Sequence, residues 1–107
     1  MNDKDLADRI VAFGVVEAID GFYYFRDKLF DRTEALTATQ TARDPRVAMA
    51  LMERCWSVDI YREDDRYDVE AWTRSGPEFG RAHLYEGQNE SLPRAIIEAC
   101  VKALEAR

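Results

Sequence analysis

The chain is short of almost everything that catalysis and metal ligation draw on. Its 107 residues include one histidine, His83, and two cysteines, Cys55 and Cys100. A single histidine excludes a multi-histidine metal site, and the two cysteines are too far apart to form a Cys-x-x-Cys pair. There is no Gly-rich phosphate loop, no His-Glu-x-x-His helix and no Gly-x-Ser-x-Gly elbow to present a serine. No cofactor is expected. Base is also scarce: 15 Lys and Arg stand against 21 Asp and Glu, for a net charge of −6. That balance argues against nucleic-acid binding, which needs clustered cations to displace counterions from phosphate. It argues equally against an anionic membrane surface. No apolar run approaches the ~20 residues that cross a bilayer. The opening Met1-Asn2-Asp3-Lys4-Asp5 is charged and lacks the apolar core of a signal peptide. The expectation is a cytoplasmic protein with reduced thiols.

What is present suffices for one core. Apolar residues make up 47% of the chain, among them five Phe, five Tyr and two Trp. This is the composition of a folded domain, and the length is that of one, spanning 1–107. A domain of this size is only modestly stabilised by burial, so the reading leaves a homodimer open.

Asp3 to Phe13 reads as a helix: acids fill its first turn, and Leu6, Ile10 and Phe13 share a face. Gly14 stops it. Residues 15–19 fit either helix or strand. A strand is preferred, because Asp20-Gly21 is the dipeptide of a type I′ hairpin turn and Phe22-Tyr23-Tyr24-Phe25 follows as a strong β run. Residues 27–43 carry little pattern, and 37–42 read as a surface loop. Asp44-Pro45 then caps a helix with Val47, Leu51 and Cys55 in one stripe. Three alternating segments follow: Trp56, Val58 and Ile60 against Ser57, Asp59 and Tyr61; Tyr67, Val69 and Ala71 against Asp68, Glu70 and Trp72; and Gly80, Ala82 and Leu84 against Arg81, His83 and Tyr85. Turns are expected at 63–65 and at Ser75-Gly76-Pro77. Residues 87–90 read as a polar connection, and Ser91 caps a last helix lined by Ile96, Ile97, Cys100, Val101 and Leu104. The fold class is α+β, in the order α-β-β-α-β-β-β-α. An antiparallel sheet has helices packed on it in layers.

The chemistry-bearing residues each have a plainer reading. His83 could serve as a general base, but a histidine on a strand face beside Glu70 or Asp68 is preferred. Asp59, Glu63, Asp64, Asp65, Asp68 and Glu70 lack the Asp-x-Asp-x-Asp-Gly spacing of a hard-cation loop. They read as turn residues and as a solvated strand face paired with Arg81 or Arg62. Cys55 lacks an evident pKa-lowering neighbour and reads as a core residue, as does Cys100. The remaining feature is one face of the sheet. Tyr61, Trp72 and Tyr85 share its parity, with Asp68, Glu70, Arg81 and His83 around them, and aromatics ringed by charge are the stuff of protein-binding patches. The competing reading is that the hairpin at 22–25, a helix or a second copy covers them.

Three stretches together resemble a known family: Leu6-Ala7-Asp8-Arg9-Ile10-Val11-Ala12-Phe13-Gly14-Val15, then Arg43-Asp44-Pro45-Arg46-Val47-Ala48-Met49-Ala50-Leu51-Met52-Glu53, then Pro93-Arg94-Ala95-Ile96-Ile97-Glu98-Ala99-Cys100-Val101. In order, across nearly the whole chain, they resemble the phage ABA sandwich domain, a group of small tailed-phage and prophage proteins. The resemblance implies a layered α/β/α arrangement and a bacterial host cell, and it carries over no catalytic residue. A sheet covered on both sides should be apolar on both faces. Here the outer face would hold Asp59, Asp68, Glu70, Arg81 and His83. So either that face is open, or a second layer covers only the part near Tyr61, Trp72 and Tyr85.

The functional expectation is a non-enzymatic phage or prophage accessory protein that binds a protein, either itself or a host component. The alternative is a small enzyme or ligand-binding protein using a cleft beside residues 36–43, with His83 or the nearby acids. A structural virion component is a third reading.

Overall fold

The computed structural model describes residues 1–26, 34–74 and 82–106. Helix α1 spans Asp3–Val11. Asn2 caps it, its side chain accepting from the Asp5 N–H at 2.8 Å, and Asp3 and Asp5 sit in the first turn, where they complement the dipole. Leu6, Ala7 and Ile10 are its buried stripe, and Gly14 ends the segment at φ +77°. Strands β1 (Val16–Ile19) and β2 (Phe22–Phe25) form the hairpin that Asp20-Gly21 announces. Both turn residues have positive φ, 51° and 82°, as a type I′ turn requires. Tyr23 then exchanges backbone hydrogen bonds with Leu36 at 2.8 and 2.9 Å, which tethers the returning chain to the hairpin.

Residues 37–42 are not a loop. Ala38–Thr41 form a one-turn helix, α2. Thr37 and Gln40 close a capping box, the Thr37 hydroxyl accepting from the Gln40 N–H at 3.1 Å and the Gln40 side chain from the Thr37 N–H at 2.9 Å. With a single turn there is no period to read, which is why the apolar pattern misses it. Helix α3 (Pro45–Met52) is capped by Asp44 and buries Val47, Ala48 and Leu51. Helix α4 (Leu92–Glu105) is capped by Ser91 and buries nine residues, from Arg94 to Leu104.

Strands β3 (Ser57–Glu63), β4 (Arg66–Arg74) and β5 (Ala82–Asn89) make an antiparallel sheet in that order. The β3–β4 register keeps the expected faces together: Val58 faces Ala71, Asp59 faces Glu70 and Tyr61 faces Asp68. The third strand differs in two respects. It runs on to Asn89, through residues expected to be a connection, and its parity is inverted. Tyr85 pairs with buried Ala71, and His83 with buried Thr73, while Leu84 pairs with Trp72. The cause is Gly87. A Cβ there would lie 2.2 Å from the Ala95 carbonyl oxygen and 2.7 Å from the Ala99 nitrogen. Helix α4 therefore rests directly on the β5 backbone, and only glycine permits it. That contact fixes 85 and 87 on the helix side and turns 84, 86 and 88 to the other. The turn expected at Ser75-Gly76-Pro77 and the strand start at 79–81 lie outside the described residues.

The layers follow. Helix α4 covers β4 and β5, and α3 packs on α4. Helix α1 packs on α2, β1 and α4. The core joins Leu6, Ile10, Tyr23, Phe25, Leu51, Val69, Ile97 and Val101. Each side chain the size of Leu or Val contributes about 1.5–3 kcal/mol when buried. Among the described residues one cation lies inside: Arg94, 3% exposed, donates to Asp3 at 2.9 Å, to Glu98 at 2.7 Å and to the Met1 carbonyl at 2.6 Å, pinning the chain start to α4. The molecule is a layered α+β fold, and no described helix is long and apolar enough to cross a membrane.

Candidate functional site

Opposite residues in an antiparallel sheet share a face, so the register gives the side of the sheet away from α4 row by row. The first row is Ser57, Trp72 and Leu84. The second is Asp59, Glu70 and Glu86, and the third is Tyr61, Asp68 and Gln88. The last is Glu63 opposite Arg66. An aromatic and apolar end thus grades into a carboxylate centre. The face is open: Tyr61 is 51% exposed and Leu84 40%, and Asp59, Glu86 and Gln88 are exposed beside them. Trp56, 52% exposed, extends the apolar end.

The second row is electrostatically costly. Like charges directly opposite destabilise a sheet by some tenths of a kcal/mol. Among the described residues no Lys or Arg forms an ion pair with Asp59, Asp68, Glu70 or Glu86. The relief on this face is smaller. The Trp72 indole N–H donates to Asp59 Oδ2 at 3.2 Å, and Arg66 reaches Glu63 at 3.4 Å. Arg62, expected to pair with these acids, instead has its guanidinium 6.0 Å from the centre of the Tyr67 ring, on which it stacks across the strands. Asp68 Oδ1 is buried without a hydrogen-bond partner among the described residues, a departure from the rule that buried polar atoms are bonded. The negative field reaches Tyr61, where Glu70 first and then Asp59 push the phenol above its ordinary value. A depression of about 430 Å³ is walled by Tyr61, Asp68, Glu70, Glu86 and Gln88 together with Arg62, Glu63 and Val69. A second, of about 540 Å³, lies beside Trp56, Ser57, Asp59 and Trp72.

Of the seven expected site residues, the structure brings Tyr61, Asp68, Glu70 and Trp72 onto one face. Tyr85 leaves it: it pairs with Ala71, is half-buried and packs against the core. The inverted β5 register likewise sets His83 opposite Thr73 rather than in the acidic rows. Arg81 lies outside the described residues. In their place Leu84, Glu86 and Gln88 complete the face. The sequence alternation through 84, 86 and 88 is compatible with this face, but only the tertiary contact of Gly87 with Ala95 and Ala99 selects it.

Among the described residues the chemistry-bearing side chains do not cluster on this face beyond its carboxylates. No described group of three His, Cys, Asp or Glu side chains is arranged to hold a metal ion. Cys100 is fully buried, and a hydrogen bond with Cys55 together with burial raises its thiol far above the ordinary range, the opposite of nucleophile activation. The depression beside α2 is walled by Glu34, Leu36, Thr39, Gln40, Arg43, Asp44 and Pro45, and Asp59, Asp68 and Glu70 take no part in it. Compared with protein-family models, curated proteins and solved structures, the chain matches none.

Proposed function

We propose that the protein is a non-enzymatic binding module whose docking surface is the open face of β3, β4 and β5, and that its partner there is a basic protein. The observation that carries this is the row of Asp59, Glu70 and Glu86, which no described Lys or Arg neutralises, set between half-buried Trp72 and exposed Leu84 on one side and exposed Tyr61 on the other. Carboxylates held opposite one another cost stability, and a cationic partner would relieve that cost while the aromatics supply buried contact area. A second copy fits this face poorly, since each chain brings a net charge of −6. On its resemblance to phage and prophage proteins, we read such a module as an accessory protein that acts on a host component in the bacterial cytoplasm.

The test maps the surface. Isotope-labelled protein is mixed with the basic fraction of a bacterial lysate, and amide shift changes are recorded for wild type and for a Trp72→Asp, Tyr61→Asp variant that keeps its circular dichroism. Changes confined to β3, β4 and β5 and lost in the variant are expected. Changes confined to α1 and the β1–β2 hairpin, or equal in both proteins, would sink the proposal.

A further inference from the structure

The sheet has two edges, and they are not equivalent. Along β5, Lys102 of α4 donates to the Glu86 backbone carbonyl at 2.9 Å while Glu98 holds the same ammonium at 3.1 Å. Helix α4 lies over that strand. Covering an edge with a helix and a lysine is how proteins prevent further strand pairing. Along β3 no such cover exists among the described residues. Among the described residues the strand pairs only with β4, and residues 59–63 are exposed without a break. Alternate residues of an edge strand turn their N–H and C=O groups away from the sheet, so β3 presents a row of backbone donors and acceptors.

The side chains of that edge alternate in kind. Asp59, Tyr61 and Glu63 stand on the open face, while Val58 and Ile60 stand on the helix side. Helix α4 packs on β4 and β5 and stops short of β3, which leaves Ile60 42% exposed although it belongs to the apolar side of the sheet. Both depressions on the open face run beside this strand.

We infer that the partner adds to β3 as a fourth strand, through an extended segment in which basic and apolar residues alternate. This rests on the docking face proposed above and specifies its occupant. A strand laid along β3 places every second side chain over Asp59 and Glu63, where Lys or Arg is complementary, and the intervening ones over Val58 and Ile60, where a branched aliphatic covers exposed surface. Main-chain hydrogen bonds hold the segment, and the alternation supplies the specificity.

Four synthetic peptides separate the readings. One has the sequence Lys-Val-Lys-Ile-Lys-Val-Lys, a second has the same composition with all lysines first, and two carry N-methyl groups on the odd or on the even amides of the first. Binding to the full chain is followed by Trp72 fluorescence, and protection of β3 amides by hydrogen exchange. The alternating peptide is expected to bind at least tenfold more tightly than the block peptide. One methylated register should lose at least tenfold and the other little, and β3 amides should gain protection. Equal binding of all four, without β3 protection, overturns strand addition and leaves the docking face standing. No binding by any peptide up to about 1 mM overturns both. Protection of β3 that grows with protein concentration alone assigns the edge to a second copy and overturns the choice of a basic partner.

Discussion

The buried guanidinium of Arg94 decides how the first residues and α4 are joined. The Arg94 side chain is 4% exposed, and its partners Asp3 and Glu98 are 21% and 16% exposed. Removing it leaves two carboxylates and the Met1 carbonyl short of donors in a partly desolvated place. Arg94→Met is therefore expected to cost about 2–3 kcal/mol, at the lower end for a broken buried pair because the partners retain some solvent. Chemical denaturation with an unchanged slope checks it. The same cluster sets a pH dependence. Burial raises the Asp3 carboxyl, but hydrogen bonds from Arg94 and Arg43 more than offset this and leave it below the ordinary 3.8. Asp8 is likewise lowered, by the Tyr23 hydroxyl first and Lys4 second. A carboxyl whose pKa is depressed in the folded state adds stability that is whole above the ordinary value and is lost as pH falls through the folded one. Melting temperature is expected to drop below about pH 4, and the drop should shrink in an Asp3→Asn variant. A melting curve independent of pH across that window would refute the assignment.

At the scale of elements, the contact between α4 and β5 carries the architecture. Gly87→Ala drives a methyl group into the helix backbone at Ala95 and Ala99. The strand or the helix must shift, at a cost of about 3 kcal/mol or more. If Gly87→Ala melts within a degree or two of wild type, α4 does not rest on the strand as described. This contact also shows what sequence can and cannot reveal. Caps and turns were legible, because Asp44-Pro45, Ser91 and Asp20-Gly21 act on their own neighbours. Period two was legible in β3 and β4, where Val58 and Ile60, and then Tyr67, Val69 and Ala71, alternate with polar or charged residues. In β5 the alternation Leu84, Tyr85, Glu86, Gly87, Gln88 is ambiguous on its own. Its parity comes from a helix backbone met only through the tertiary fold, which turns Tyr85 to the helix side and brings Glu86 to the open face. Helix α2 escaped for the opposite reason, since a single turn held by a Thr-x-x-Gln box has no pattern longer than its cap.

At the scale of the molecule, one side is packed and the other is open. Helices α3 and α4 stack behind the sheet, and the face in front collects carboxylates that nothing described neutralises. A net charge of −6 weighs against self-pairing through that face and would favour encounter with the basic partner proposed above. The first association step should accordingly be sensitive to salt, with screening effective beyond ~10 Å at 0.1 M.

The most direct measurement is a charge swap. The triple variant Asp59→Lys, Glu70→Lys, Glu86→Lys and the wild type are each titrated with the alternating lysine peptide and with its counterpart carrying glutamate at every lysine. The open-face account predicts that wild type binds only the lysine peptide, that the folded triple variant binds only the glutamate peptide, and that each match weakens as salt rises. Equal affinity of both proteins for the lysine peptide would contradict it, because the carboxylate row would then play no part in choosing the partner.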